Sequence, residues 1–327
     1  MPQIVMFRHS PDEYSPKIQG VSGLCNWNAT TKHFRRFLLS VGDYVDSTNT
    51  LQSGDLLFWS EWEACTWVRK LLPKRLHCAT WLHEPIYPTA CPPSAGGGCL
   101  HRQNTDPCVF GDSFKYALCL QQTCRQGRVF STKMQQLDSG SLIFFGGTRR
   151  GTFFLDTVFV VGEKTPYVGP DWARAVQCSN AYRILTLNQT QGKLSFYRGI
   201  TWSQREQHNG LYSFAPGKVL QNRATLNTLS VAFRNRCVLN FGPLNQIVQN
   251  VSTKQFGVSQ NFTAINAPLN VVQLAWNELL HQVKANGFVP CVHFQWPQQN
   301  QTPNRMAHAT APQNTSAKGS RIHPSRP

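Results

Sequence analysis

Acidic residues are scarce in this chain of 327 residues: 16 Asp+Glu stand against 32 Lys+Arg, a formal net charge of +16. Charged residues together make up only 15% of the sequence, well below the usual quarter. A sparse charge set of one sign creates a positive field, and that field attracts polyanions. Long apolar runs are also missing, which argues against a membrane-spanning helix and a membrane partner. The only apolar stretch near the start, Ile4–Phe7, is broken by Arg8 and His9, too soon for the core of a secretory leader. No Walker loop, GxGxxG, HExxH or GxSxG occurs, so the reaction classes those motifs serve lose support.

The cysteines lack a pattern too. There are 11, an odd number, with no CxxC pair. In a chain of this length they read as reduced thiols of a cytoplasmic protein, not as a disulfide framework. Those between Cys65 and Cys124, with His77, His83 and His101, raise the question of tetrahedral zinc. The wide spacings among Cys91, Cys99 and Cys108 favour scattered buried thiols, and no metal ligand or cofactor is assigned.

What is present is an ordinary hydrophobic fraction, 41%, enough for one large core or two medium ones. The expected class is α+β, mostly β, with a few helices. Strands are predicted at Gln3–Phe7, Leu56–Trp59, Phe114–Leu120, Leu142–Phe145, Phe153–Val161, Leu194–Tyr197, Leu211–Phe214, Arg236–Leu239 and Phe288–Phe294. In Phe153–Val161, Phe153, Leu155, Thr157, Phe159 and Val161 share one face, with Val158 and Val160 on the other, as in a buried central strand. Helical spacing points to an amphipathic helix with a basic face over Thr30–Val45, one or two turns over Thr66–Leu72, and a clear helix over Val271–Ala285 closed by Asn286-Gly287. Pro85–Pro107 reads as a long irregular loop. Residues 1–295 form one unit, with two β-barrel halves (about 1–130 and 131–295) as the alternative. Residues 296–327, rich in Gln, Asn, Pro and Ser and free of acids, read as a disordered basic tail.

The segment Leu51-Gln-Ser-Gly-Asp-Leu-Leu-Phe-Trp59 is echoed by Leu137-Asp-Ser-Gly-Ser-Leu-Ile-Phe-Phe145. Each reads as a glycine turn feeding a buried strand. The first copy resembles the "Gly-Asp then apolar strand" signature of PUA-like barrels, the group with the ASCH and EVE domains. Gly54 and Asp55 match it, and the helix expected at Thr30–Val45 stands before them; the second copy has Ser141 in place of the Asp. The resemblance implies a barrel that reads RNA or modified bases. The chain, with its Asn104–Asp112 box, is also similar in texture to nucleotide-modification-associated proteins of bacterial and phage gene clusters.

Candidate chemistry falls into three places. The Asn104–Asp112 box gathers Asp106, Cys108 and Asp112 around Pro107 and Gly111, ahead of Lys115. Two carboxylates and a thiol on one loop suit acid–base or nucleophilic work, although an Asx turn accounts for the same residues. Glu61 and Glu63 stand two apart, which on a strand places them on one face with Trp59. Such carboxylates, with Trp59 or Trp62 as a stacking plate, suit catalysis or recognition of a base edge. Arg149 and Arg150 in a strand turn, with Arg8 at the end of the first strand and Lys115, suit phosphate contacts. The leading expectation is a nucleic-acid-directed component of a base-modification or phage-defence system, binding nucleic acid or a modified base, with other proteins of such a cluster as partners. The alternative is an enzyme modifying a base or nucleotide with the carboxylate and cysteine residues.

Overall fold

The computed structural model describes residues 1–18, 22–28, 32–71, 73–89, 104–169, 171–249, 251 and 259–299. The chain is mostly β. Its strands are β1 (Ile4–Arg8), β2 (Ser22–Cys25), β3 (Arg35–Val45), β4 (Leu51–Glu61), β5 (Thr66–Lys70), β6 (Trp81–Pro85), β7 (Lys115–Tyr116), β8 (Gln122–Arg125), β9 (Arg128–Ser131), β10 (Leu142–Arg149), β11 (Thr152–Gly169), β12 (Gly192–Gly199), β13 (Ala215–Leu220), β14 (Val238–Leu239), β15 (Ser259–Ala264) and β16 (Val289–Phe294). One sheet runs β15-β1-β10-β11-β12-β7, with β14 beside β11; the other runs β16-β13-β4-β3-β6-β5-β2. Each sheet takes strands from both sides of residue 130. Because β16 also pairs with β3, the strands β3, β4, β13 and β16 close a ring. At the closure Gly42 is required, since a Cβ there would collide with the His293 carbonyl.

The two sheets pack face to face. Val5, Phe7, Ile143, Phe145 and Phe159 from the first meet Leu38, Leu56 and Phe58 from the second, with Phe110 and Phe294 between. The outer face of the first sheet, including Ile4, Met6, Leu142 and Phe144, is covered by the helix Leu269–Ala285. That helix turns Val272, Ala275, Trp276, Leu279 and Val283 inward. Burying each aliphatic side chain contributes roughly 1.5–3 kcal/mol. The outer face of the second sheet holds Phe37, Leu39, Leu57 and Trp59 under Leu71, Leu220 and Leu226.

Several expectations need correction. Arg35–Val45 is a strand, not part of a helix over Thr30–Val45. Its run pairs residue for residue with β4, from Arg35 opposite Glu61 to Val45 opposite Leu51. A short apolar run fits both periods, and here the long-range partner decides. The supposed basic face is absent: Arg35 and Arg36 are each 1% exposed. Thr66–Lys70 is likewise a strand, held between β2 and β6. Phe114–Leu120 shrinks to the two residues of β7. Leu211–Phe214 forms no strand beyond a single bridge from Phe214 to Val158.

The most consequential correction lies in β11. Phe145 pairs with Thr157 and the next residue, Gly146, pairs with Leu155, so Asp156 is an extra residue in a β-bulge. A one-residue insertion reverses the alternation beyond it. Accordingly Phe153 and Leu155 face the helix layer while Phe159 and Val161 face the inter-sheet core; the five residues expected on one face are divided at Asp156. The two echoed segments also differ. Gly54 is an interior residue of β4, opposite Gly42, whereas Gly140, at φ +82°, makes the turn before β10. The middle of the loop expected at Pro85–Pro107 (residues 90–103) lies outside the described residues, as do residues 300–327 of the expected tail. Trp296, the start of that tail, packs on Phe110 and Trp62.

Candidate functional site

Asp106 of the box is completely buried. Its Oδ1 accepts the Ala117 N–H at 2.9 Å, and its Oδ2 accepts those of Leu118 and Cys119 at 2.8 and 2.7 Å. Burial pushes the carboxyl up to about 7, against the pull of those three donors. Three of its roughly four acceptor sites are used to hold the 117–119 turn. Cys108 is fully buried, exchanges both backbone hydrogen bonds with Lys115, and has its thiol pushed up to about 12 by burial. A thiol so far from ionising is a weak nucleophile. Asp112 projects outward and pairs with Lys115 Nζ at 2.6 Å and Arg198 Nη1 at 3.0 Å. Burial opposes its ionisation, but the Lys115 hydrogen bond and charge hold the carboxyl below its usual range. Lys115 is 1% exposed, and its Nζ also faces the carbonyls of Ser113 and Phe110 at 2.7 and 3.4 Å. Its three N–H bonds are thereby engaged inside the protein. The box is thus not a convergent set: Asp106, Cys108 and Asp112 point to three different surroundings.

Glu61 and Glu63 behave differently. Both are 1% exposed, at the end of β4 and just beyond it. Glu61 Oε2 receives Arg35 Nη1 at 2.6 Å and lies 3.1 Å from His9 Nδ1. Its Oε1 lies 3.3 Å from His33 Nδ1, and that same nitrogen is 3.1 Å from Glu63 Oε1. On the far side, Arg35 Nε donates to Asp156 Oδ2 at 2.9 Å, and Arg236 Nη2 donates to Asp156 Oδ1 at 2.9 Å. The bulge in β11 is what turns this carboxylate toward the two guanidiniums. Glu63 is anchored through its backbone, which donates to Thr105 Oγ1 and accepts from the Asn28 N–H.

The electrostatics follow from this geometry. Burial opposes charge on His33, but Glu61 and Glu63 outweigh it and hold the imidazole well above its usual range. His9, fully enclosed and stacked on Phe7, is lowered to about 4 by burial and by Arg35, against the pull of Glu61. Glu61 is held well below the carboxylate range because His33 and His9 overcome its burial. Three acids, Glu61, Glu63 and Asp156, thereby face three cations, His33, Arg35 and Arg236, beside a neutral His9. Some capacity is left over: Glu63 Oε2, Glu61 Oε1 and His9 Nε2 are buried without a hydrogen-bond partner. Burying charges costs several kcal/mol per ion unless they are well paired.

Arg236 connects this network to the surface. Its guanidinium lies over the rings of Trp59 and Phe154, at 4.6 and 4.9 Å. Together with Glu13, His77 and Arg149 these residues line a narrow cleft of only ≈ 10 Å³, about the room one water needs. Trp59 Nε1 and Arg236 Nε are buried there without an acceptor. Burial and then the charges of Arg149, Arg150 and Arg236 lower the His77 imidazole. Above it Arg149 and Arg150 are exposed at the β10–β11 turn, where Arg150 and Gly151 have φ of +52° and +76°, the conformation favoured in a two-residue hairpin loop.

The remaining expected binding residues are interior. Trp59 is 5% exposed and packs against Phe37; Trp62 is fully buried, donates to the Cys65 carbonyl and packs on Phe110. Neither offers an open plate for a base. Arg8 is 1% exposed. The nine cysteines among the described residues are free thiols; Cys91 and Cys99 lie outside them. Sequence reasoning missed His33, Arg35, Asp156 and Arg236 as site residues. Asp156 did leave a signal, as the one charged residue of the run Phe153–Val161.

Comparison of the chain with protein-family models, curated proteins and solved structures yields no match. Among the described residues, no helix is long and apolar enough to cross a membrane.

Proposed function

We propose that the protein binds a nucleic acid, with backbone phosphates held at the Arg149–Arg150 turn over the cleft of Trp59, His77 and Arg236. The observation that carries this reading is the pair of exposed arginines on one tight turn, Arg149 and Arg150, set over the Arg236 guanidinium and the His77 ring. Phosphate oxygens are acceptors only, and most contacts to nucleic acids are made to the backbone by arginines and N–H groups. The formal +16 charge supports the same class of partner. The cleft is too narrow for base stacking, so this contact fixes position and not sequence. The narrower reading, a component of a base-modification or defence system, draws on the Leu51–Trp59 resemblance; the closed ring of β3, β4, β13 and β16 supports its barrel element.

The test is fluorescence anisotropy with a labelled duplex and a single strand over a range of salt. Binding should weaken steeply with salt, by a slope of about −0.9 per phosphate neutralised on duplex DNA. The double variant Arg149→Ala/Arg150→Ala should lose about two phosphates' worth of that slope. Absence of binding at low salt, or an unchanged slope in the variant, rejects the reading. A second reading, an enzyme acting on a base or nucleotide, is favoured by one observation, the buried Glu61–His33–Glu63 arrangement, and not by the residues of the box.

A further inference from the structure

The geometry points to a divalent-cation site formed by His33, Glu61 and Glu63, independent of the nucleic-acid reading. These side chains are the one group of three or more potential metal ligands among the described residues, with one ligand atom from each lying within 4.8 Å of the others. Metal–oxygen and metal–nitrogen bonds of about 2.1 Å place neighbouring octahedral ligands about 3.0 Å apart and opposite ones about 4.2 Å apart. His33 Nδ1 lies 3.1 Å from Glu63 Oε1 and 3.3 Å from Glu61 Oε1. With the Glu61 and Glu63 donor atoms also within 4.8 Å of each other, small side-chain movements bring the three donors onto one ion, and water completes the shell.

Two further observations separate this group from an ordinary acidic cluster. Glu63 Oε2 is buried and receives no hydrogen bond, and Glu61 Oε1 has no hydrogen bond beyond its 3.3 Å ion pair with His33 Nδ1, in residues only 1% exposed. Bare buried carboxylate oxygens are costly, and a cation satisfies them. The supporting shell is also built. Arg35 Nη1 and His9 Nδ1 both engage Glu61 Oε2, leaving Oε1 as the single ligating atom. Hydrogen bonds of this kind to a ligating carboxylate fix its orientation and affinity. His33 keeps a quarter of its side chain exposed, 27%, so the site opens to solvent on the imidazole side. One imidazole and two carboxylates suit manganese or magnesium, with no soft thiolate in the set. When the ion enters, it takes the place of the proton on His33 Nδ1.

The decisive experiment is Mn²⁺ titration of the full chain, stripped of metals and kept reduced at pH 8, followed by electron paramagnetic resonance of free Mn²⁺. Manganese is chosen because the 11 cysteines would bind zinc adventitiously. One tight Mn²⁺ per chain is expected. His33→Ala and Glu63→Gln should each weaken it about tenfold or more, while His281→Ala, on the exposed side of the helix Leu269–Ala285, leaves it unchanged. Circular dichroism confirms that the variants are folded; if Glu63→Gln is not, the partly exposed His33 variant alone carries the test. No Mn²⁺ binding by the native chain, or equal binding by His33→Ala, overturns the site and shows that the His33 imidazolium is itself the cation. Neither outcome bears on the Arg149–Arg150 contact, which is read with nucleic acid.

Discussion

Two segments of this acid-poor chain carry paired carboxylates, and they put them to opposite uses. Asp106 spends its charge on three backbone N–H groups within its own neighbourhood. Glu61 and Glu63 spend theirs on side chains from elsewhere in the chain, and Glu63 Oε2 is left without a donor. The difference shows that residue type does not mark a site. A carboxylate saturated by backbone donors is a structural fastener, because nothing mobile can replace those donors. A carboxylate facing imidazoles and guanidiniums keeps partners that can exchange a proton, a cation or a ligand.

The largest expected effect comes from breaking the fastener. Asp106→Ala leaves the buried Ala117 N–H and the part-buried Leu118 and Cys119 N–H groups without acceptors, at about 1–3 kcal/mol for a buried one and less for the others, so urea denaturation should show a loss of about 3–5 kcal/mol or failure to fold. Glu63→Gln, which keeps size and one acceptor, should cost far less in the same assay. If the two variants are equally stable, the contrast between the segments is wrong.

Acid provides an intermediate test, through a residue that neither segment uses. His83 is buried beside Arg36, with Nδ1 2.9 Å from Thr66 Oγ1, and burial followed by the Arg36 charge lowers its imidazole well below the usual range. A folded-state value below the unfolded one means that stability is complete above pH about 6.5 and is lost as pH falls, because only the unfolded chain takes up the proton. His83→Gln should flatten part of the acid limb of a thermal-melt profile. An unchanged limb would place the acid sensitivity in the Glu61 network instead.

The smallest effect is expected at Cys108. Replacing this neutral, enclosed thiol with Ser should cost about 1–3 kcal/mol of stability, from burying a hydroxyl, and should leave any binding or catalytic readout unchanged per folded molecule. A specific loss of activity in folded protein would restore the box as a chemical site.

Much of the fold was legible in the sequence. The strands around Ile4–Phe7, Leu56–Trp59, Leu142–Phe145 and Leu194–Tyr197 and the helix Leu269–Ala285 follow from local apolar pattern. Arg35–Val45 was misread because Phe34, Phe37 and Leu38 satisfy helical spacing, and only the partner strand β4 decides against it. The site was less legible, for a geometric reason. His9, His33, Arg35, Glu61, Asp156 and Arg236 come from five separate parts of the chain, and their meeting depends on sheet order and on one bulge. A bulge is invisible to strict alternation: Asp156 reads as a defect in a buried strand until the register shift turns it toward Arg35 and Arg236.

The ring that closes through β16 carries a consequence for how the chain acquires its shape. Strand β3 begins at residue 35 and cannot complete its pairing until Val289–Phe294 has been synthesised. At the other end, β1 lies between β10 and β15 and waits for both. Partners so far apart in sequence make folding slow and leave strand edges open meanwhile. The β3–β4 hairpin can form early, but β1 and the edge of β3 that β16 covers stay open until partners more than a hundred residues downstream have been made.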